Sequence, residues 1–436
     1  LSKVEYDLII AGGKVIDPVS GLNKVADIYI QGKKISKIET KNLIDQKKLK
    51  STKDDRIVNA SDKIVTPGLI DMHTHLREPG REDEETIYTG SEAAVAGGFT
   101  SICCMPNTEP PIDDQESVNF VYERARKALC KVFCIGAVTK GLKGQELTEM
   151  ADLKNAGAVA VTDDGLPISN PRIMRNALDY TRMLGLPVVS HCEDLDLSSS
   201  GVMNEGYVST LLGLPGIPSL AEEIMVSRDI KLAEYTGGRV HIAHVSTRGS
   251  VELIRAAKKK GIKITCEATP HHFSLTDEII KTFNTNARVN PPLRTQKDVD
   301  EIKKGLKDGT IDCIATDHAP HSIEEKDVEF SVAPCGMVGL ETALGLVITE
   351  LVDKKILSWE EAVTKMTINP ARILNLNLGK IEIEAPADLT IIDPKISWTV
   401  DTSQFKSKSK NSPFEGKELT GKAWMTIVDG KIMHRL

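Results

Sequence analysis

The sequence predicts an α/β chain: a (β/α)8 TIM barrel with a small β-sandwich-like module formed by both termini. Three observations predict it. Apolar strand-like runs alternate with amphipathic helical stretches through the centre of the chain, the pattern of repeated βα units. Eight such runs can be counted, the number that closes a barrel. Side chains able to hold a metal fall at the ends of these runs, where barrels carry their functional groups. An open, doubly wound sheet would not gather groups from so many strands into one crevice.

From about residue 5 to 62 the chain reads as short strands and turns. Tyr6-Asp7-Leu8-Ile9-Ile10 leads to Gly12-Gly13, and Ala26-Asp27-Ile28-Tyr29-Ile30 leads to Gly32. The same pattern returns from about 380, in Ala387 to Ile392 and in Met425-Thr426-Ile427-Val428 before Gly430. Residues 1–62 and 375–436 are therefore expected to form one composite β domain, and residues 63–374 the barrel. The apolar run Ile64-Val65-Thr66-Pro67-Gly68-Leu69-Ile70 reads as one buried strand entering Asp71-Met72-His73-Thr74-His75-Leu76-Arg77. The barrel strands are expected to end at His75, near Asn107, near Thr139, at Asp164, at His191, at His244, near Thr269 and at Asp317.

Composition narrows the function. A net charge of -7 argues against a nucleic-acid surface, and 4% aromatic residues offer no stacking platform for bases or sugars. The lysine-rich stretches at Lys47-Lys48 and from Lys406 to Lys410 read as solvated loops. No apolar run approaches the roughly 20 residues of a membrane span. Leu1-Ser2-Lys3-Val4-Glu5 has no signal-peptide core and no initiator Met, which points to a trimmed start and, by default, a cytoplasmic location. The eight cysteines form no CxxC pair and mostly lie in apolar runs, as reduced core residues do.

Alternate side chains of a strand share a face, so His73 and His75 point the same way, a ready pair of zinc ligands. Arg77 has the same parity, and a guanidinium beside a metal suggests hydrolysis of a substrate with an anionic group. Five strand ends carry metal-capable groups: His73 with His75, Asp164, His191, His244 and Asp317. Singly, a strand-end His more often hydrogen-bonds in a core, and an Asp-Gly such as Asp164-Gly165 is more often a turn. Together, at barrel-consistent positions, the six reverse that preference and could hold one zinc ion or two. His241 and His244 differ in parity, so one of them is expected to face the site. His271, His272 and His434 are read as ordinary structural histidines.

These residues bring a family into view. The stretches Pro67 to Gly80, Met105-Pro106-Asn107-Thr108, Thr162-Asp163-Asp164-Gly165, His191-Cys192-Glu193-Asp194, His244-Val245-Ser246-Thr247, Asn290-Pro291-Pro292-Leu293-Arg294 and Ala315 to His321 together resemble the amidohydrolase superfamily and, within it, the type I dihydroorotases. The resemblance implies a zinc site of His73, His75, Asp164, His191, His244 and Asp317, with Asp164 bridging where two ions are present. It implies reversible closure of N-carbamoyl-L-aspartate to L-dihydroorotate in pyrimidine biosynthesis. A hydroxide held by the metal would be the nucleophile and Asp317 the general acid and base. It places Arg77, Asn107 and His321 at the substrate carboxylate and Asn290 at the ring amide. A loop from Pro320 to Gly336 is the candidate for covering the site.

Hydantoinases and allantoinases, close relatives, use a carbamylated lysine as the bridge. The inferred fourth strand, Ala158-Val159-Ala160-Val161-Thr162, contains no lysine, and their substrates lack the carboxylate that Arg77 suits. Some dihydroorotase-like chains have lost their ligands and serve as structural partners of aspartate transcarbamoylase, whereas every expected ligand is present here. The resemblance leaves open a homodimer and a complex with that transcarbamoylase. One departure is Cys335-Gly336, where an aromatic often precedes the glycine.

Overall fold

The apolar run at 64–70 is two strands, not one. In the computed structural model, which describes residues 6–40 and 56–436, Ile64–Pro67 joins the sheet formed by the chain ends and Leu69–Thr74 begins the barrel. Gly68 lets the chain step between the two, because a Cβ there would lie 2.0 Å from the Thr100 hydroxyl. Apolar character reports burial rather than sheet membership, and both strands are buried. Residues 64–67, placed by sequence with the barrel segment, thus pair within the terminal sheet.

The barrel strands are Leu69–Thr74 (β1), Phe99–Cys104 (β2), Lys131–Ala137 (β3), Ala160–Thr162 (β4), Val188–Ser190 (β5), Val240–Ile242 (β6), Ile264–Ala268 (β7) and Cys313–Ile314 (β8). Each pairs in parallel with the next. The ring closes at its C-terminal rim, where Thr74 bridges His318 and the His75 N–H donates to the His318 carbonyl at 2.8 Å. Met72, Cys103, Ile135, Ala160, Val189, Ala243 and Cys313 fill the interior.

Helices cover the outside. Pro171–Leu184, between β4 and β5, shows how the sequence specifies one. Asn170 caps it by accepting from the Arg172 N–H, Pro171 starts it with a preset φ, and Gly185 at φ 71° ends it. Ile173, Met174, Ala177, Leu178 and Thr181 lie on one face and are buried against the barrel.

The terminal sheet has eight strands. Five come from the N-terminal side, ending with Ile64–Pro67, and Leu389–Thr399, Glu418–Val428 and Lys431–Arg435 come from the C-terminal side. The two sets meet where Ile64–Pro67 pairs antiparallel with Leu389–Thr399, Val65 opposite Ile391. Lys47-Lys48 lie outside the described residues. Along 405–412, Lys406 and Lys408 are exposed as expected, but Lys410 is half-buried and Ser407 and Ser409 are buried. The eight cysteines are unpaired, and all but Cys335 are buried. Among the described residues no helix is long and apolar enough to cross a membrane.

Candidate active site

The six candidate ligands converge just beyond the C-terminal ends of five barrel strands. His73, on β1, and His75, one residue past its end, have ring centroids 5.4 Å apart. Their Nε2 atoms approach the Asp317 Oδ1, beyond β8, at 3.5 and 3.1 Å. Each is also 3.4 Å from Asp164 Oδ2, beyond β4. The other oxygen of Asp164 faces the opposite pair, 3.6 Å from His244 Nε2 and 3.9 Å from His191 Nδ1. One carboxylate therefore stands between two sets of ligand atoms. The atoms of His73, His75 and Asp317, and those of His73, Asp164 and His244, lie close enough to share a cation.

The donors fit a metal. His73 Nε2 and Asp164 Oδ1 are buried without a hydrogen-bond partner, which costs roughly 1–3 kcal/mol for each group. A cation between them would satisfy both. Burial opposes charging of His73, but the carboxylates of Asp164, Glu267 and Asp317 outweigh it and raise its pKa. Burial would also raise the Asp164 and Asp317 carboxyls, yet the imidazoles around them hold both below the ordinary range. The site favours positive charge at its centre. Arg77, His244 and Asp317 all have positive φ, at 62°, 29° and 50°. Such left-handed backbone at non-glycine residues costs about 1–3 kcal/mol each and clusters at functional sites.

A second layer fixes which nitrogen of each imidazole faces the centre. His73 Nδ1 donates to Glu267 Oε1 at 2.6 Å, leaving Nε2 inward. His75 Nδ1 donates to Asn107 Oδ1 at 2.8 Å. His191 Nε2 donates to Glu193 Oε2 at 3.0 Å, leaving Nδ1 inward. Glu267 and Glu193 are each held down at about 2: burial opposes this, but the neighbouring imidazoles prevail. His241 meets Glu267 Oε2 at 3.2 Å within the barrel and does not join the six. His272 bonds Thr269 and the Pro291 carbonyl, and His434 lies in the terminal sheet. Sequence reading missed Glu267 and Glu193. The signal for Glu267 was a lone carboxylate in the apolar run Ile264–Ala268.

A cavity of about 350 Å³ opens over the metal set, a size suited to one small ring. Arg77, Asn107, Asn290 and His321 all line it. Arg77 is 6% exposed and is not the surface partner of Glu78 or Asp71. Its Nε donates to the Pro320 carbonyl at 3.1 Å and lies 3.0 Å from Glu84 Oε2, while Nη2 is 3.4 Å from His321 Nε2. Glu78 pairs with Arg124 instead. Asn290 Nδ2 donates to Glu193 Oε2 at 2.8 Å. Arg81, four residues after Arg77, also lines the cavity and was not singled out from the sequence. The Pro320 to Gly336 segment carries His321, Cys335 and Gly336 on the cavity wall and contains a short helix, Ile323–Lys326.

Residues 64–433 match the amidohydrolase family. The chain is 55% identical to a dihydroorotase of Pelotomaculum thermopropionicum, over 98% of both chains. It is 54% identical to a dihydroorotase of Endomicrobium trichonymphae, over 96% of this chain and 97% of that one. Among solved structures, an L-hydantoinase (dihydropyrimidinase) from Arthrobacter aurescens superposes with a TM-score of 0.88 at 25% identity, covering 99% of this chain and 96% of that one. The convergent His and Asp set at the rim of a (β/α)8 barrel and these similarities agree, and the chain belongs to the amidohydrolase family, among its dihydroorotases.

Proposed function

We propose that this cyclic amidohydrolase catalyses the reversible cyclisation of N-carbamoyl-L-aspartate to L-dihydroorotate and water, with one or two zinc ions held by His73, His75, Asp164, His191, His244 and Asp317. The observation that carries the reading is a buried Arg77 guanidinium on the wall of the same small cavity as the metal set. A hydantoin or allantoin ring has no carboxylate to match it. The relatives named dihydroorotase support the same reading.

Bound zinc would supply Lewis acidity at the amide carbonyl and lower the pKa of water from 15.7 to about 7. The remaining steps belong to side chains. Arg77 is fixed through Nε by Pro320 and Glu84, and its outer nitrogens, one of them 3.4 Å from His321 Nε2, would make a charge-assisted pair with the substrate carboxylate. Asn107 spends Oδ1 on His75 and keeps Nδ2 as a donor for that carboxylate. Gly165 leaves it room, since a Cβ there would lie 3.1 Å from that nitrogen. Asn290 gives Nδ2 to Glu193 and keeps Oδ1 to accept from the ring amide N–H.

Asp317 is held ionised by burial-opposing imidazoles and can accept a proton. In hydrolysis water adds to the ring carbonyl, and Asp317 takes the water proton. The C–N bond then breaks, and Asp317 passes the proton to the leaving nitrogen. Cyclisation runs these transfers in reverse.

The test starts from N-carbamoyl-L-aspartate. Zinc-loaded protein should form dihydroorotate, detected by mass and by its ring-amide absorbance. Asp317→Asn should slow this by about 10²–10⁴-fold. Absence of dihydroorotate with folded, metal-replete wild type would count against the proposal.

A further inference from the structure

A strap of the terminal domain packs on the segments that follow β1 and β8 of the barrel. Residues 405–412 lie between strands Leu389–Thr399 and Glu418–Val428 and alternate in burial. Ser407 donates to Glu85 Oε2 at 2.5 Å, and Ser409 donates to the Glu84 carbonyl at 2.7 Å. The inward series ends at Asn411, which is 4% exposed.

Every polar capacity of the Asn411 amide is directed at the segment that walls the cavity. Oδ1 accepts from the His321 N–H at 3.1 Å. Nδ2 donates to the Ala319 carbonyl at 3.0 Å and to the Gly336 carbonyl at 3.1 Å. The Asn411 backbone carbonyl accepts from the Val338 N–H at 3.0 Å. Ala319, His321 and Gly336 all line the cavity. They are packed without slack, since a Cβ on Gly336 would come within 2.8 Å of the Ala319 Cβ and 3.0 Å of His321 Nε2. One acceptor and two donors in one plane are what an asparagine side chain offers. Aspartate would set an oxygen against two carbonyls, and leucine would leave three buried backbone groups without partners.

We propose that Asn411 is a positioning residue for the carboxylate end of the substrate cavity, so that the terminal domain completes the active site. This rests on the dihydroorotase reading. Asn411 touches no metal ligand in its side-chain bonds, so its loss should affect recognition of the carboxylate and spare the metal centre.

The experiment uses full-length, zinc-loaded wild type, Asn411→Leu and Asn411→Asp. It measures kcat and KM for dihydroorotate, zinc per chain, and the inhibition constant of acetohydroxamate, a metal-directed ligand without a carboxylate. The expected result is a KM raised about tenfold or more, with kcat within about threefold. Zinc content and hydroxamate inhibition should stay as in wild type. If Asn411→Leu does not fold, Asn411→Asp, which keeps the acceptor, carries the measurement. An unchanged KM in either folded variant overturns the proposal. So does a rise in KM matched by weaker hydroxamate inhibition, which reports general damage. Wild type that does not turn over dihydroorotate at all removes the functional reading itself, and this inference with it.

Discussion

Asp164 presents its two oxygens to two different pairs of imidazoles, and this division is what makes the site more than a cluster of histidines. At this scale the sequence was unusually legible. His73 and His75 could be paired from strand parity alone, and each strand-end residue could be placed because barrels carry function at one rim. Residues acting through others were harder to see. Glu267 meets His73 across 194 positions and Asn411 meets His321 across 90, so no local spacing announces either contact. Arg77 gives the sharpest residue-level prediction. Arg77→Ala should lower kcat/KM for dihydroorotate by about a hundredfold, mainly through KM, because a buried bidentate partner is lost. Zinc measured by metal analysis should be unchanged. Equal loss of zinc would show that Arg77 supports the metal centre instead of the substrate.

Strands and helices were read correctly as alternating elements, and the barrel strands ended within a few residues of the positions expected. The error lay at Gly68, where continuous apolar character hid a change of sheet. Nothing in hydrophobicity marks that change; the glycine does, through the Thr100 side chain packed against it. Gly68→Ala should therefore destabilise the fold by about 1–3 kcal/mol through overpacking, seen as a lower denaturation midpoint, even though φ is ordinary there. An unchanged midpoint would mean that β1 and β2 separate freely.

Glu341 lies in the helix Leu340–Val347. It accepts from the Lys406 and Ser407 N–H groups at 2.7 and 3.0 Å, and burial pushes its carboxyl up to about 7. A folded-state pKa above the unfolded value near 4.5 favours the protonated form on folding. That contribution is present below about pH 4.5 and is lost as pH rises through about 7. Glu341→Gln keeps the acceptor without the titration. Its stability relative to wild type should rise from pH 4.5 to 7 in denaturant melts, whereas a pH-independent difference would argue against a raised carboxyl.

At the scale of the whole molecule, the terminal sheet and the barrel meet at many points, among them the Thr390 and Thr426 hydroxyls, which donate to the Gly98 and Val95 carbonyls, and the strap that ends at Asn411. The barrel fold itself was legible because repeated βα units leave a strong period in the sequence. The strap was not, since Lys-Ser alternation reads as a solvated loop until the serines are seen facing inward. In the proposed function this architecture brings a metal and a carboxylate subsite together to act on one ring amide. The decisive measurement is turnover on zinc-loaded and chelated protein, with dihydroorotate, hydantoin and allantoin in parallel. Hydrolysis of dihydroorotate alone, abolished by chelation and restored by zinc, is the expected outcome. Turnover that survives complete metal removal, or a preference for hydantoin or allantoin, would contradict it.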